Sequence, residues 1–260
     1  MSFTSWAIRR SFKKNDDKRD AGLKTPENVE RFDDLSYGQY GKWNKLDVYR
    51  PKGVTGKLPV IVSVHGGGWV YGDKERYQYY CMSLVEHEFA VVNFTYRLAP
   101  EFKYPAPVED TVNVFKWILD RENAEKYGFD VDHIFAVGDS AGGHLLGLYC
   151  CLCTDEEYGK TLDFKAPFGG CPKAVGLNCG VYRIELKNGR DKLMADFLPK
   201  KVTAEECRLI SVTEHVNKDF PPAFVMTAEG DFLAEQAKEF VTRSQAGKTA
   251  LVQQLAHHGA

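Results

Sequence analysis

The chain is 260 residues long and contains no stretch of about 18 consecutive apolar residues, so a membrane-spanning helix is not expected. It also lacks an excess of charge of either sign: 34 Lys and Arg stand against 36 Asp and Glu. A net charge of −2 provides no basic field for nucleic acid and no general attraction to an anionic membrane, so neither is expected as a partner. No internal repeat and no low-complexity linker interrupts it. The opening residues, MSFTSWAIRRSFKKNDDKRD, have neither the apolar core nor the small-residue cleavage site of a secretory signal. The seven cysteines, Cys81, Cys150, Cys151, Cys153, Cys171, Cys179 and Cys207, are odd in number. Free thiols in a reducing, cytoplasmic compartment are the expectation. Cys151 and Cys153 stand too close for the usual Cys-x₂-Cys zinc pair. With Cys150 they belong to the apolar run LLGLYCCLC and read as small core residues of a buried helix. Neither a metal nor a cofactor is expected.

What is present is a globular composition, 43% apolar and 27% charged, in one large domain. Residues 1–36 are charge-rich and read as a loosely attached arm that begins as a solvated helix. NKLDVYRP predicts an early strand closed by Pro51. The residues Val60–Val64 and Ala90–Tyr96 are apolar on both faces, as interior parallel strands are. Tyr77–His87 reads as a helix between them. Val108, Val112, Phe115, Ile118 and Leu119 have helical spacing, and that helix is predicted to run to Gly128. Further strands are expected in HIFAVGDS, AVGLNCGVY, PAFVMTAEGD and TALVQQLA, with a helix in AEQAKEFVTRSQAGK. The alternation predicts an α/β fold, a mostly parallel central sheet with helices on both faces. Residues 183–207 interrupt it and read as a small helical cap, which the N-terminal arm would complete. In such sheets the chemistry sits beyond the carboxyl ends of the strands.

Two motifs lie at such ends. GDSAG, Gly138–Gly142, fits Gly-x-Ser-x-Gly between a strand and a helix, the setting of a nucleophile elbow. Its glycines suit a strained serine backbone whose flanks tolerate no Cβ. HGGGW, His65–Trp69, follows the interior strand Val60–Val64, and its glycines let backbone N–H groups approach a ligand closely. Such donors can stabilise an oxyanion that forms in a transition state. His65 is expected to orient this loop, and Asp139 to be a structural part of the elbow.

HGGGW, then YRLAPE (Tyr96–Glu101), YPAPVED (Tyr104–Asp110) and GDSAGG resemble, in this order, the hormone-sensitive-lipase-like HGGG carboxylesterases of the α/β-hydrolase fold. The resemblance covers roughly residues 40–245. It implies Ser140 as nucleophile, with the N–H groups of Gly67, Gly68 and Ala141 as the oxyanion hole. It also implies Asp231, in TAEGDFL, as the triad acid and a histidine near the C-terminus as the base. Glu229, Asp219 and Glu235 stay open as alternatives to Asp231. A serine hydroxyl needs an adjacent base, and the triad order is Ser, acid, His. After Asp231 only His257 and His258 remain; His87, His133 and His215 come too early, and His144 lies one helical turn below Ser140. The family writes an aromatic and a closing helix after its histidine, whereas AHHGA ends two residues past His258.

A serine, a histidine, an acid and an oxyanion hole together perform acyl transfer to water through an acyl-enzyme. Trp69, Val70 and Tyr71 are expected to wall an apolar acyl pocket. The short cap points to a small-molecule ester, of short acyl chain and acetyl among the candidates, as substrate. Two other readings carry the same motifs: an amide hydrolase of the arylformamidase kind, and a small-molecule receptor or scaffold that has lost its base. A homodimer is the assembly to test for.

Overall fold

The runs that are apolar on both faces become the middle of one sheet. The computed structural model describes residues 1–185, 191–199, 203–244 and 249–254. Its strands are Val29–Ser36 (β1), Lys45–Pro51 (β2), Leu58–Val64 (β3), Ala90–Phe94 (β4), Phe129–Asp139 (β5), Val175–Asn178 (β6), Ala223–Ala228 (β7) and Thr249–Gln254 (β8). They lie in the order β1-β2-β4-β3-β5-β6-β7-β8. The pairs β1–β2 and β2–β4 are antiparallel, and every later pair is parallel. The helices are Phe3–Asp20 (α1), Lys74–Leu84 (α2), Ala106–Leu119 (α3), Arg121–Tyr127 (α4), Ala141–Thr154 (α5), Glu156–Gly159 (α6), Asp191–Phe197 (α7), Ala204–Leu209 (α8), Val212–His215 (α9) and Ala234–Arg243 (α10).

Alternation along the strands feeds two cores. Val60, Val62 and Val64 of β3 and Ala136 of β5 pack with Phe115 of α3 and Tyr149 of α5, whose rings stack at 4.0 Å. On the opposite face Ile61 and Val91 meet Cys81 and Met82 of α2. Burying each such side chain contributes about 1.5–3 kcal/mol, which is why these runs fold inward. Cys150 and Cys151 are fully buried in α5, as the apolar run around them requires. Among the described residues no helix is long and apolar enough to cross a membrane.

Two expectations need correction. Residues 1–36 are not loosely attached. Arg9 of α1 donates from Nε to the Val70 carbonyl at 2.7 Å and from Nη2 to the Ala99 carbonyl at 2.8 Å, and it pairs with Glu101. β1 continues the sheet as an edge strand on β2. The helix expected from Val108 to Gly128 is broken. Asp120 adopts an extended conformation (φ −61°, ψ 129°), ends α3 and caps α4 by accepting the Asn123 amide at 3.1 Å. Within residues 183–207 the helices α7 and α8 are short, and α7 is held to the N-terminal helix: Ser5 Oγ donates to Asp196 Oδ2 at 2.5 Å.

Candidate active site

β5 delivers Ser140 to the carboxyl edge of the sheet, and α5 begins at the next residue. Ser140 sits at φ 49°, ψ −116°, a left-handed conformation that costs a non-glycine residue about 1–3 kcal/mol. Three hydrogen bonds hold it there. Its N–H donates to the Asn178 carbonyl at 3.0 Å, and its carbonyl accepts the amides of His144 at 3.1 Å and Val181 at 3.2 Å. The flanking glycines are steric necessities. A Cβ on Gly142 would run into the carbonyls of Val64 and His65, and one on Gly138 would lie 2.7 Å from the Gly142 oxygen.

The loop after β3 runs past this turn. Gly67 and Gly68 have φ of 115° and 61°. The loop is fastened at both ends. The Gly66 amide donates to Asp139 Oδ1 at 3.1 Å and to the Tyr77 hydroxyl at 3.0 Å, and that hydroxyl donates to Asp139 Oδ2 at 2.8 Å. The Trp69 carbonyl accepts the Ala99 amide at 2.9 Å. Asp139 therefore joins the loop to the elbow, and burial raises its pKa above the usual carboxylate range. Among the described residues the amides of Gly67, Gly68 and Ala141 have no acceptor.

Two buried histidines stiffen the loop. His65 stacks on Tyr96 at 4.0 Å and donates from Nδ1 to the Gly66 carbonyl at 2.8 Å. His144 accepts the Trp69 indole N–H at Nδ1, 3.2 Å away, and donates from Nε2 to the Ile210 carbonyl at 2.6 Å. Burial lowers the pKa of both imidazoles to about 4. His144 thereby locks Trp69, which also stacks on Phe197 at 4.6 Å.

Ser140, Gly68 and Trp69 open on a cavity of about 210 Å³. Val181, Ile184, Leu193, Met194, Phe232 and Leu233 form its apolar wall, while Arg183, Glu185 and Gln236 form a polar end. Val70 and Tyr71, expected in this wall, lie elsewhere. They line a separate cavity of about 690 Å³ beside Arg9 and Lys74, where the Tyr71 hydroxyl donates to Asp16 of α1 at 2.8 Å. The left-handed Trp69 (φ 62°) turns the chain, so the residues after it face α1.

Asp231 follows β7 in a tight turn, its amide donating to the Ala228 carbonyl at 3.1 Å. Its Oδ2 accepts the Thr227 hydroxyl at 2.9 Å and its Oδ1 the Leu233 amide at 2.9 Å. Burial and the neighbouring Asp231 carboxylate push the Cys179 thiol up to about 11. Glu229, Asp219 and Glu235 are exposed, the latter two paired with Lys218 and Lys238. His257 and His258 lie outside the described residues. The last residue of β8, Gln254, pairs with Ala228, so β8 ends at the edge of the sheet from which Ser140 and Asp231 extend.

A family model described as BD-FAE matches residues 46–243, more than half of the chain. The chain belongs to the BD-FAE family of hormone-sensitive-lipase-like α/β-hydrolases. The residues matched to BD-FAE include the glycine loop, the elbow and Asp231. Its relatives include the versiconal hemiacetal acetate esterase of Dothistroma septosporum, 42% identical over 102 residues, which are 39% of this chain and 30% of that protein. Esterase LipC of Mycobacterium tuberculosis is 30% identical over 230 residues, 83% of this chain and 55% of that one. Esterase B from Lactobacillus rhamnosis, solved with tributyrin phosphonate, superposes with a TM-score of 0.80 at 26% identity, over 97% of this chain and 81% of that chain. This BD-FAE chain spans about half the length, or less, of the two curated relatives.

Proposed function

We propose that the chain is a serine carboxylesterase that hydrolyses short-chain esters, acetyl esters among them, through an acyl-enzyme. Ser140 attacks the ester carbonyl, and the amides of Gly67, Gly68 and Ala141 receive the developing oxyanion. His257 or His258 takes the serine proton, and Asp231 orients that imidazole and stabilises its cationic form. The reading is carried by one observation: a strained Ser140 opens, together with Gly68 of the glycine loop, on a small apolar cavity. The esterase names of the relatives support it. A cavity of about 210 Å³ is below the usual range for drug-sized ligands and favours short acyl chains. All seven cysteines are free thiols, which suits the reducing cytoplasm we assign to the protein.

The test is turnover of p-nitrophenyl esters from acetate to decanoate by the wild type and by Ser140→Ala. The wild type is expected to favour acetate and butyrate and to take a fluorophosphonate label on Ser140. The variant should lose at least about 10⁴-fold in kcat, as removal of a triad nucleophile does, with an unchanged melting curve. Near-normal turnover by Ser140→Ala ends the assignment. Faster cleavage of a formyl-amide than of butyrate would move the chain to the amide hydrolases.

A further inference from the structure

The outward face of α1 takes no part in the fold or in the Ser140 site. Along a helix of 3.6 residues per turn, Phe3, Trp6, Arg10, Lys14 and Lys18 fall within one arc of about 120°. All five are exposed, Phe3 by 77% and Trp6 by 45%. The rings of Phe3 and Trp6 stack at 5.5 Å, and the Arg10 guanidinium lies 5.8 Å from the Trp6 ring centre. The opposite side of the helix is the one that is fastened. Ser5 donates to Asp196 of α7, Arg9 to the Val70 and Ala99 carbonyls, Phe12 meets Tyr71 edge-on at 5.8 Å, and Asp16 accepts the Tyr71 hydroxyl. α1 is thus held in one orientation, with two large rings turned to water.

The charge on that face decides its partner. The whole chain carries −2, yet α1 holds six Lys and Arg against three Asp. Its acids are neutralised within the protein: Asp16 and Asp20 pair with Arg19 at 3.0 and 2.8 Å, and Asp17 pairs with Lys13 at 2.6 Å and Arg76 at 2.7 Å. Among the described residues Arg10, Lys14 and Lys18 have no carboxylate partner. The stripe runs about 22 Å, with aromatic rings at one end and unpaired cations along the rest. That arrangement suits a surface with an apolar layer just beneath an anionic one. Aromatic side chains settle at the boundary of headgroups and acyl chains, and each cation near an anionic leaflet strengthens binding about fivefold. We infer that the outer face of α1 docks the protein on anionic phospholipid bilayers, with Phe3 and Trp6 entering the interface and Arg10, Lys14 and Lys18 meeting the headgroups. The contact is peripheral, since no described helix is long and apolar enough to cross a membrane. α1 also holds α7, whose Leu193 and Met194 line the Ser140 cavity, so the docking helix and the cavity wall are directly joined.

Sedimentation of the full chain with phosphatidylcholine vesicles, pure or containing about 30% phosphatidylserine, tests it. Binding to the anionic vesicles is expected to be at least about tenfold tighter than to the neutral ones, and to fall as NaCl rises from about 50 to about 500 mM. Arg10→Glu/Lys14→Glu should weaken it by at least about tenfold. Phe3→Ser/Trp6→Ser should weaken it too and abolish the vesicle-induced blue shift of tryptophan emission. All four positions face solvent, so melting curves and turnover of soluble p-nitrophenyl butyrate should match the wild type. No binding to the anionic vesicles, equal binding to both kinds, or binding that neither double variant weakens overturns the docking face. Dimerisation that Phe3→Ser/Trp6→Ser abolishes, in a chain that no vesicle retains, also overturns it and gives the face to a second copy. Ester turnover is read separately, so each of these results leaves the esterase reading untouched.

Discussion

Acidification should loosen the fold through His144 by an amount that can be worked from its bonds. Only the neutral imidazole with its proton on Nε2 can accept from Trp69 and donate to Ile210 at once. Burial lowers its pKa from 6.5 to about 4. The folded value lies below the unfolded one, so as pH falls the unfolded chain takes the proton first. The stabilisation is complete above pH 6.5 and is lost as pH falls toward 4. From pH 7 to pH 4 protonation favours the unfolded chain by about 3.2 kcal/mol and the native one by about 0.4, a loss of about 3 kcal/mol. His65 titrates in the same window with the same sign, whereas the raised carboxyls of Asp110 and Asp139 act in the opposite sense. The absolute curve therefore mixes several groups, and a difference isolates one. His144→Gln retains a donor and an acceptor but does not titrate. Urea unfolding of both proteins, followed by circular dichroism at pH 7, 6, 5 and 4, gives the gap between them. The wild type's advantage should shrink by about 3 kcal/mol across that range. A gap that stays constant with pH would refute the reasoning.

Gly142→Ala should destabilise the protein by about 3 kcal/mol in thermal unfolding, because its Cβ meets the main-chain carbonyls of Val64 and His65 at the end of β3, which cannot retreat. Arg97→Met should cost about 3–5 kcal/mol in urea. It strips the guanidinium that donates through Nε to both Asp110 oxygens at 2.9 and 3.0 Å and leaves a buried carboxylate unpaired. The double variant Arg97→Met/Asp110→Leu should recover most of that loss. If Asp231 is the acid of the proposed triad, Asp231→Asn should lower kcat on p-nitrophenyl butyrate by roughly 10⁴ with little change in KM, since it removes the charge that would orient the base.

The interior strands were legible because VIVSV and AVVNF are apolar on both faces, a pattern that a sheet covered on both sides requires. The elbow was legible for a local reason: a left-handed serine between close-packed strand and helix demands glycines at fixed offsets. β1 was not. VERFDDLS is charge-rich, and its strand character comes from pairing with β2 rather than from its own pattern. The break at Asp120 escaped periodicity, yet Asp is a preferred N-cap and was the signal available. The facing of Val70 and Tyr71 follows left-handed residues, where no strand or helix period assigns a side. The role of His144 depends on partners 75 and 66 positions away, which no local window contains.

The grip of Arg9 on the carbonyls of Val70 and Ala99 has a practical consequence. Residues that look like a dispensable polar leader act as a strut for the segment that follows the Gly67–Gly68 loop. Trimming them to obtain a tidier protein would leave the fold's centre intact while slackening the loop beside Ser140, and under the proposed function kinetics gathered on such a shortened form would understate what the chain can do.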